Sequence, residues 1–237
     1  MVTSFPFLAS DIDYPDSDGL PMAESDAARD YLTYGVEALG IYFQDDSHVY
    51  VSGNIFVYYE EGNPKSVISP DVLVVMGVEK KQRRSYKTWE EGDKFPDFVL
   101  EITSKSTVHE DQGSKKGLYA HLGAKEYFQY DPTSDYLKPA LQGFRLIERN
   151  YLAIPAQISD DAIALSSQVL GLELRLEKGE MRFYDPKTGK KLRSHSESEQ
   201  ALKESEQARL KAEQETLAAL EKARQLEERL KALGIDP

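Results

Sequence analysis

The chain has 237 residues, 40% hydrophobic and 30% charged, enough for one well-filled core with an appendage or at most two small domains. It contains no cysteine, which excludes disulfides, thiolate zinc sites and cysteine nucleophiles and fits a reducing compartment. The net charge of −12 weighs against a nucleic-acid partner, but the acidity is local: residues 1–63 hold twelve acids against one base, whereas residues 64–140 hold twelve of each.

The N-terminal stretch Met1–Ser10 lacks a basic region and meets acid at Asp11, so it is not read as a signal peptide. No run of about 18 apolar residues occurs. The expected location is the cytoplasm, with no membrane partner. Residues 1–20 read as an irregular arm rich in Asp, Pro, Ser and Gly towards its end. Ser25 or Asp26 then caps a helix expected from Ala27 to Phe43, with a broad apolar side through Tyr31, Tyr34, Val36, Leu39, Ile41 and Tyr42. Val49–Tyr59 is a strand pattern broken at Ser52-Gly53-Asn54. Asp71–Met76 follows Pro70 as an almost wholly apolar run, the mark of a strand covered on both faces.

A basic cluster comes next: Lys80, Lys81, Arg83, Arg84 and Lys87, with Tyr86 and Trp89 beside it. It reads either as a solvated loop or as a grip for phosphate and bases. Asp97–Thr103 is a second buried strand, Asp111–Leu122 a helix closed by Gly123, and Glu126–Tyr130 a third strand. Strand, helix and strand in that order make a βαβ unit, so part of the sheet should be parallel. Phe144–Ala153 and Leu172–Tyr184 read as later strands closing the sheet. From Ser196 to Leu233 the composition turns to Ala, Glu, Lys, Leu, Gln and Arg without proline or internal glycine. Its leucines change register near Ala223, so the segment is either an interrupted coiled coil or a solvated helix held by Glu–Lys pairs.

Two acids stand where acids are rarely found. Asp71 opens one apolar strand and Glu101 lies inside another, on the face shared by Val99 and Thr103. A carboxylate in that setting is paired, protonated or bound to metal. Two carboxylates on neighbouring strands, with the Ile102 carbonyl nearby, form an all-oxygen site of the kind Mg²⁺ or Mn²⁺ prefers. Asp97 also follows a proline, and a turn role is its expected part. His48, His109, His121 and His195 show no metal-ligand spacing. GxSxG, GxGxxG and P-loop motifs are absent.

The blocks Ser69-Pro70-Asp71-Val72-Leu73-Val74-Val75, Pro96–Thr107 and Asp111–Phe128 together resemble the Uma2 family, over about Asp18 to Leu146. The resemblance implies an α/β fold: a restriction-endonuclease-like PD-(D/E)XK core, a mixed central sheet flanked by helices. To it the long C-terminal helix is appended. It also implies Asp71 as the acid of the PD motif and Glu101 as the acid that follows. Thr103 stands where a lysine is usual. The superfamily's migrated lysine then falls on Lys115, one turn before Tyr119; Lys105 is the rival. Glu24 lies where relatives supply a further acid near the metal, or else serves the helix dipole. The expected organisation is an arm over 1–20, a nuclease-like domain over 21–190 and a charged helix over 191–237.

Two functions follow. One is an endonuclease that hydrolyses DNA phosphodiester bonds with Mg²⁺ or Mn²⁺, through Asp71, Glu101 and Lys115, working as a homodimer. The other is an inactive nuclease fold that uses its C-terminal helix to oligomerise or bind a partner protein.

Overall fold

The computed structural model describes residues 12–17, 25–104, 107–159 and 162–232. The chain divides into two compact units, Met1–Leu192 and Arg193–Pro237.

In the first unit, α1 (Asp26–Tyr42) starts at Ser25, whose side chain accepts from the Ala28 amide. This is the N-cap expected of a serine before an apolar-periodic run. Its buried face, with Tyr34, Ala38 and Leu39, lies against a six-stranded sheet. The strands are β1 (Val49–Ser52), β2 (Val57–Tyr58), β3 (Val67–Ile68), β4 (Val72–Met76), β5 (Tyr86–Lys87) and β6 (Phe98–Ile102), then β7 (Glu126–Tyr130), β8 (Leu141–Ile147) and β9 (Asn150–Ala153). Six of them form the main sheet in the order β1-β4-β6-β7-β8-β9, and β3-β2-β5 form a small one beside it. The β6–β7 pair is parallel and the other main-sheet pairs are antiparallel, so the expected βαβ unit is present inside a mixed sheet.

Alternation along β4 and β6 sorts the core onto two faces. Val72, Val74, Phe98, Leu100 and Ile102 meet α1 on one side. On the other, Leu73 and Val75 pack with Tyr50, Val57 and Tyr86, while Val99 packs with Tyr119, Ala124 and Tyr127. A Cβ on Gly35 would come within 2.8 Å of Val72, so this glycine lets α1 lie directly on β4.

Three sequence expectations change. The helix expected over Asp111–Leu122 is two helices, α2 (Val108–Gln112) and α3 (Ser114–Leu122). They meet at Gly113, whose absent Cβ would sit 2.9 Å from the His109 carbonyl. Phe144–Ala153 is a hairpin rather than one strand, because Glu148 and Arg149 both take left-handed backbone angles. Leu172–Tyr184 is likewise a hairpin, turned at Lys178-Gly179, and it does not close the main sheet. It belongs to a separate antiparallel sheet of β10 (Gln157–Ser159), β11 (Ala162–Ser167), β12 (Leu172–Glu177), β13 (Glu180–Asp185) and β14 (Lys190–Lys191). That sheet contributes Leu165, Leu172, Leu174, Met181 and Phe183 to the core beneath α1.

The second unit holds α4 (His195–Ala232), a helix of 38 residues with none of them buried. At 1.5 Å per residue it extends roughly 57 Å. Among the described residues no helix is long and apolar enough to cross a membrane.

Candidate active site

The break at Ser52-Gly53-Asn54 seats the first acid. A Cβ on Gly53 would fall 2.3 Å from the Asp71 carbonyl, and the Asn54 amide donates to Pro70. Only glycine lets the chain pass so close to the entrance of β4. Asp71 is half-buried, and its Oδ2 accepts from the Ile102 amide at 2.7 Å, tying the start of β4 to the end of β6. Within one strand residue the N–H and C=O point to the same side. The Ile102 carbonyl therefore faces Asp71, while the next amide, Thr103, turns to Tyr130.

Glu101 is 0% exposed. Its Oε1 accepts from the Tyr119 hydroxyl at 2.6 Å, and its Oε2 lies 3.3 Å from Lys115 Nζ. Lys115 Nζ is also 3.0 Å from Oδ1 of Asp111, a residue 1% exposed on α2. Residues 111, 115 and 119 are spaced at i, i+4 and i+8. That spacing aims all three at the sheet across the Gly113 break. Asp111 is held from below, where the Tyr127 hydroxyl donates to its main-chain carbonyl at 2.8 Å.

The electrostatics follow from burial. Desolvation pushes Glu101 well above the usual carboxylate range; the charges of Asp71 and Asp111 add to the rise, and Lys115 opposes it. Asp71 is also raised by burial, against the hydrogen bonds from Ile102 and with Glu101. The two carboxyls therefore share one small volume, where ionising both is costly. Burial alone would depress Lys115. Glu101 and Asp111 more than offset that, and the ammonium stays above its ordinary value. Tyr119 is raised by burial and by Glu101, so it remains a phenol that donates to the carboxylate.

Other buried acids are saturated. Glu126 is bound by Arg145, Ser167 and the Gln168 amide, and Asp131 by Thr133 and the Tyr136 and Leu137 amides. In contrast, Glu101 Oε2, Thr103 Oγ1 and both Asp111 carboxylate oxygens are buried without a hydrogen bond, apart from the ammonium beside Glu101 and Asp111. Among the described residues no three His, Cys, Asp or Glu side chains form a ready-made metal cage; the Lys115 ammonium stands among the carboxylates instead. The donor set nonetheless suits a hard divalent ion: carboxylate and carbonyl oxygens, no sulfur or imidazole, and orphaned oxygens that call for positive charge.

The structure thus brings Asp71, Glu101 and Lys115 to one place and adds Asp111 and Tyr119. In the sequence Asp111 stands one turn before Lys115 and Tyr119 one turn after it, the spacing of neighbours on a helix face. Their signal was the four-residue spacing together with a glycine at 113. Glu24 and Lys105 lie outside the described residues. Asp97 sits at the other end of β6, accepts from the Met76 amide at 2.7 Å and pairs with Lys125. The basic loop is occupied with the protein's own acids and carbonyls, although Lys80, Lys81 and Arg84 stay exposed. Lys81 and Arg83 pair with Glu91, Arg84 with Asp16 and Lys87 with Glu90, while Lys80 binds the Phe43 and Gln44 carbonyls. Tyr86 is fully buried, and Trp89 packs against Tyr14.

The model of the Uma2 family, described as "Putative restriction endonuclease", matches residues 21–177. The chain belongs to the Uma2 family. Its fold is accordingly of the restriction-endonuclease-like class, a mixed α/β sheet flanked by helices, here with the long helix α4 added. Among solved structures it is similar to one titled "a putative nuclease belonging to DUF820 from Anabaena variabilis ATCC 29413". The two are 12% identical, with 63% of this chain and 76% of that chain covered and a TM-score of 0.44. No curated protein matches.

Proposed function

We propose that this Uma2 protein is a divalent-metal-dependent endonuclease that hydrolyses phosphodiester bonds of DNA. One observation carries the reading. Among the described residues, the buried acids at 101 and 111 alone keep oxygens without hydrogen bonds; both reach a single ammonium, on which the charge of Asp71 also acts. Asp71, Glu101 and the Ile102 carbonyl would hold Mg²⁺ or Mn²⁺, with Glu24 the candidate for a further acid. Such an ion, when bound, neutralises charge on a scissile phosphate and acidifies a bound water.

The chain's own groups supply the remainder. Lys115 carries three donors and no acceptor, so it orients a water or stabilises phosphoryl oxygens and is no ligand for a cation. Asp111 fixes that ammonium in place, and Tyr119 fixes the rotamer of Glu101. Burial of the cluster strengthens each of these interactions relative to water.

The test is cleavage of supercoiled, linear duplex and single-stranded DNA by the purified full chain in Mg²⁺ or Mn²⁺. The expected result is cutting of at least one form and its loss in Glu101→Ala. In Lys115→Ala cutting should also be lost, with Mn²⁺ affinity retained by calorimetry. A chain that cuts none of the three forms overturns the reading in favour of an interaction protein built on the same fold.

A further inference from the structure

Helix α3 has a second working face. Lys115 and Tyr119 point to the acid cluster, whereas Gly113, Lys116, Gly117 and His121 line a groove of about 480 Å³ closed on its far side by Arg149 and Asn150 from the β8–β9 hairpin. Among the described residues no acid lines this groove. In the basic loop every lysine and arginine is tied to a carboxylate or carbonyl, but among the described residues neither Lys116 nor Arg149 has such a partner. The Lys116 ammonium rests 3.2 Å over the Phe144 ring, a contact that positions it without neutralising it. Adjacent lysines therefore differ in kind. Carboxylates raise Lys115, while burial lowers Lys116, as for an ammonium with no anion beside it.

Gly117 supplies an independent sign. It occupies the middle of α3, where glycine is less favourable than alanine, yet a Cβ there would meet nothing within 4 Å. The protein's own packing does not require it. A bare backbone facing a cationic groove suits close approach of a ligand.

We propose that this groove binds the phosphodiester backbone of the DNA strand that the acid site acts on, a proposal that rests on the nuclease reading. A strand leaving the acid cluster across the first turn of α3 would meet Lys116 next to Lys115, then Arg149 and the Asn150 amide. Phosphate contacts of this kind position a duplex without reading its sequence.

The experiment uses the full chain and a fluorescent duplex oligonucleotide in chelator, so that binding is read apart from cleavage. Kd is measured across a salt series for wild type, K116Q/R149Q, K116R and G117A, with thermal melting as the check on folding. For K116Q/R149Q, binding should weaken at least tenfold and the slope of log K against log salt should fall by about 2, near 0.9 per lost phosphate contact. K116R should bind as wild type. G117A should melt higher, by roughly 1–4 °C, yet bind DNA less tightly. Wild-type slope and affinity in folded K116Q/R149Q would overturn the groove alone if the wild type binds and cleaves. Failure of the wild type to bind any duplex would overturn the nuclease reading with it.

Discussion

Glu101 is ionised with difficulty, because burial and the Asp71 charge outweigh the help from Lys115. Its native pKa is raised above the ordinary 4.5, so between those two values unfolding releases a proton and stability falls as pH rises. Glu101→Gln keeps the acceptor for Tyr119 and removes the charge. In chelator it should be more stable than wild type at pH 8 by about 1–3 kcal/mol, with the gap closing towards pH 4. Mn²⁺ should raise the melting temperature of wild type and leave the variant unmoved. The Asp111–Lys115 pair behaves in the opposite sense. Lys115→Met strands two carboxylates in the core and should cost about 3 kcal/mol, whereas Asp111→Asn with Lys115→Met should cost less than the sum of the single changes. Urea melts of the four forms give that coupling directly. The acids proposed for the site were legible because Asp71 and Glu101 interrupt apolar strands. Asp111 was legible only as an i,i+4 partner of Lys115, since His109-Glu110-Asp111-Gln112 otherwise looks like any solvated helical turn.

At the scale of elements, legibility followed the strength of local signals. Pro70-Asp71 and Pro96-Asp97 ahead of apolar runs marked β4 and β6, and Gly123 marked the end of α3 in its left-handed C-cap conformation. The β8–β9 turn gave no such signal. Glu148 and Arg149 hold φ of 48° and 67°, a region Asn and Gly enter far more readily. The pairing of β8 with β9 overrides their preference. Replacing the two by Asn and Gly should therefore stabilise the chain by roughly 1 kcal/mol, seen as a higher denaturation midpoint with an unchanged slope. The same double change removes Arg149 from the groove, so a more stable hairpin is expected to accompany weaker DNA binding. Of the second sheet, β10–β14, only the stretch Leu172–Tyr184 was legible as strand, and β10 and β11 were not, because their residues alternate only partly and are largely exposed.

For the whole molecule, we propose that the helical tail is dispensable for the fold. The hydrophobic clusters of the first unit are built from residues between Ala28 and Leu192. A chain ending at Arg193 should keep its melting temperature within a few degrees. α4 carries Leu202, Leu210, Leu217, Leu220, Leu226 and Leu230 exposed, and isolated helices are marginal in water unless packed or heavily ion-paired. Light scattering should therefore report a smaller oligomer for the shortened chain. Equal subunit numbers in the two forms would leave self-association through α4 without support.

Asp71 and Asp97 have a shared consequence in time as well as in space. Each precedes one strand of the antiparallel β4–β6 pair and accepts the amide at the far end of the other, at Ile102 and Met76. Strand ends normally fray, and their amide protons exchange quickly with solvent. Here both ends are latched, so the Met76 and Ile102 protons should exchange as slowly as those of Leu73 and Leu100, through global opening. In Asp71→Ala the Ile102 proton alone should become fast, by roughly tenfold or more, the effect of a lost latch of 1–2 kcal/mol; hydrogen–deuterium exchange read by NMR would show it. Asp71→Asn keeps an acceptor for that amide, so comparing the two variants separates a latch that has opened from chemistry that has stopped.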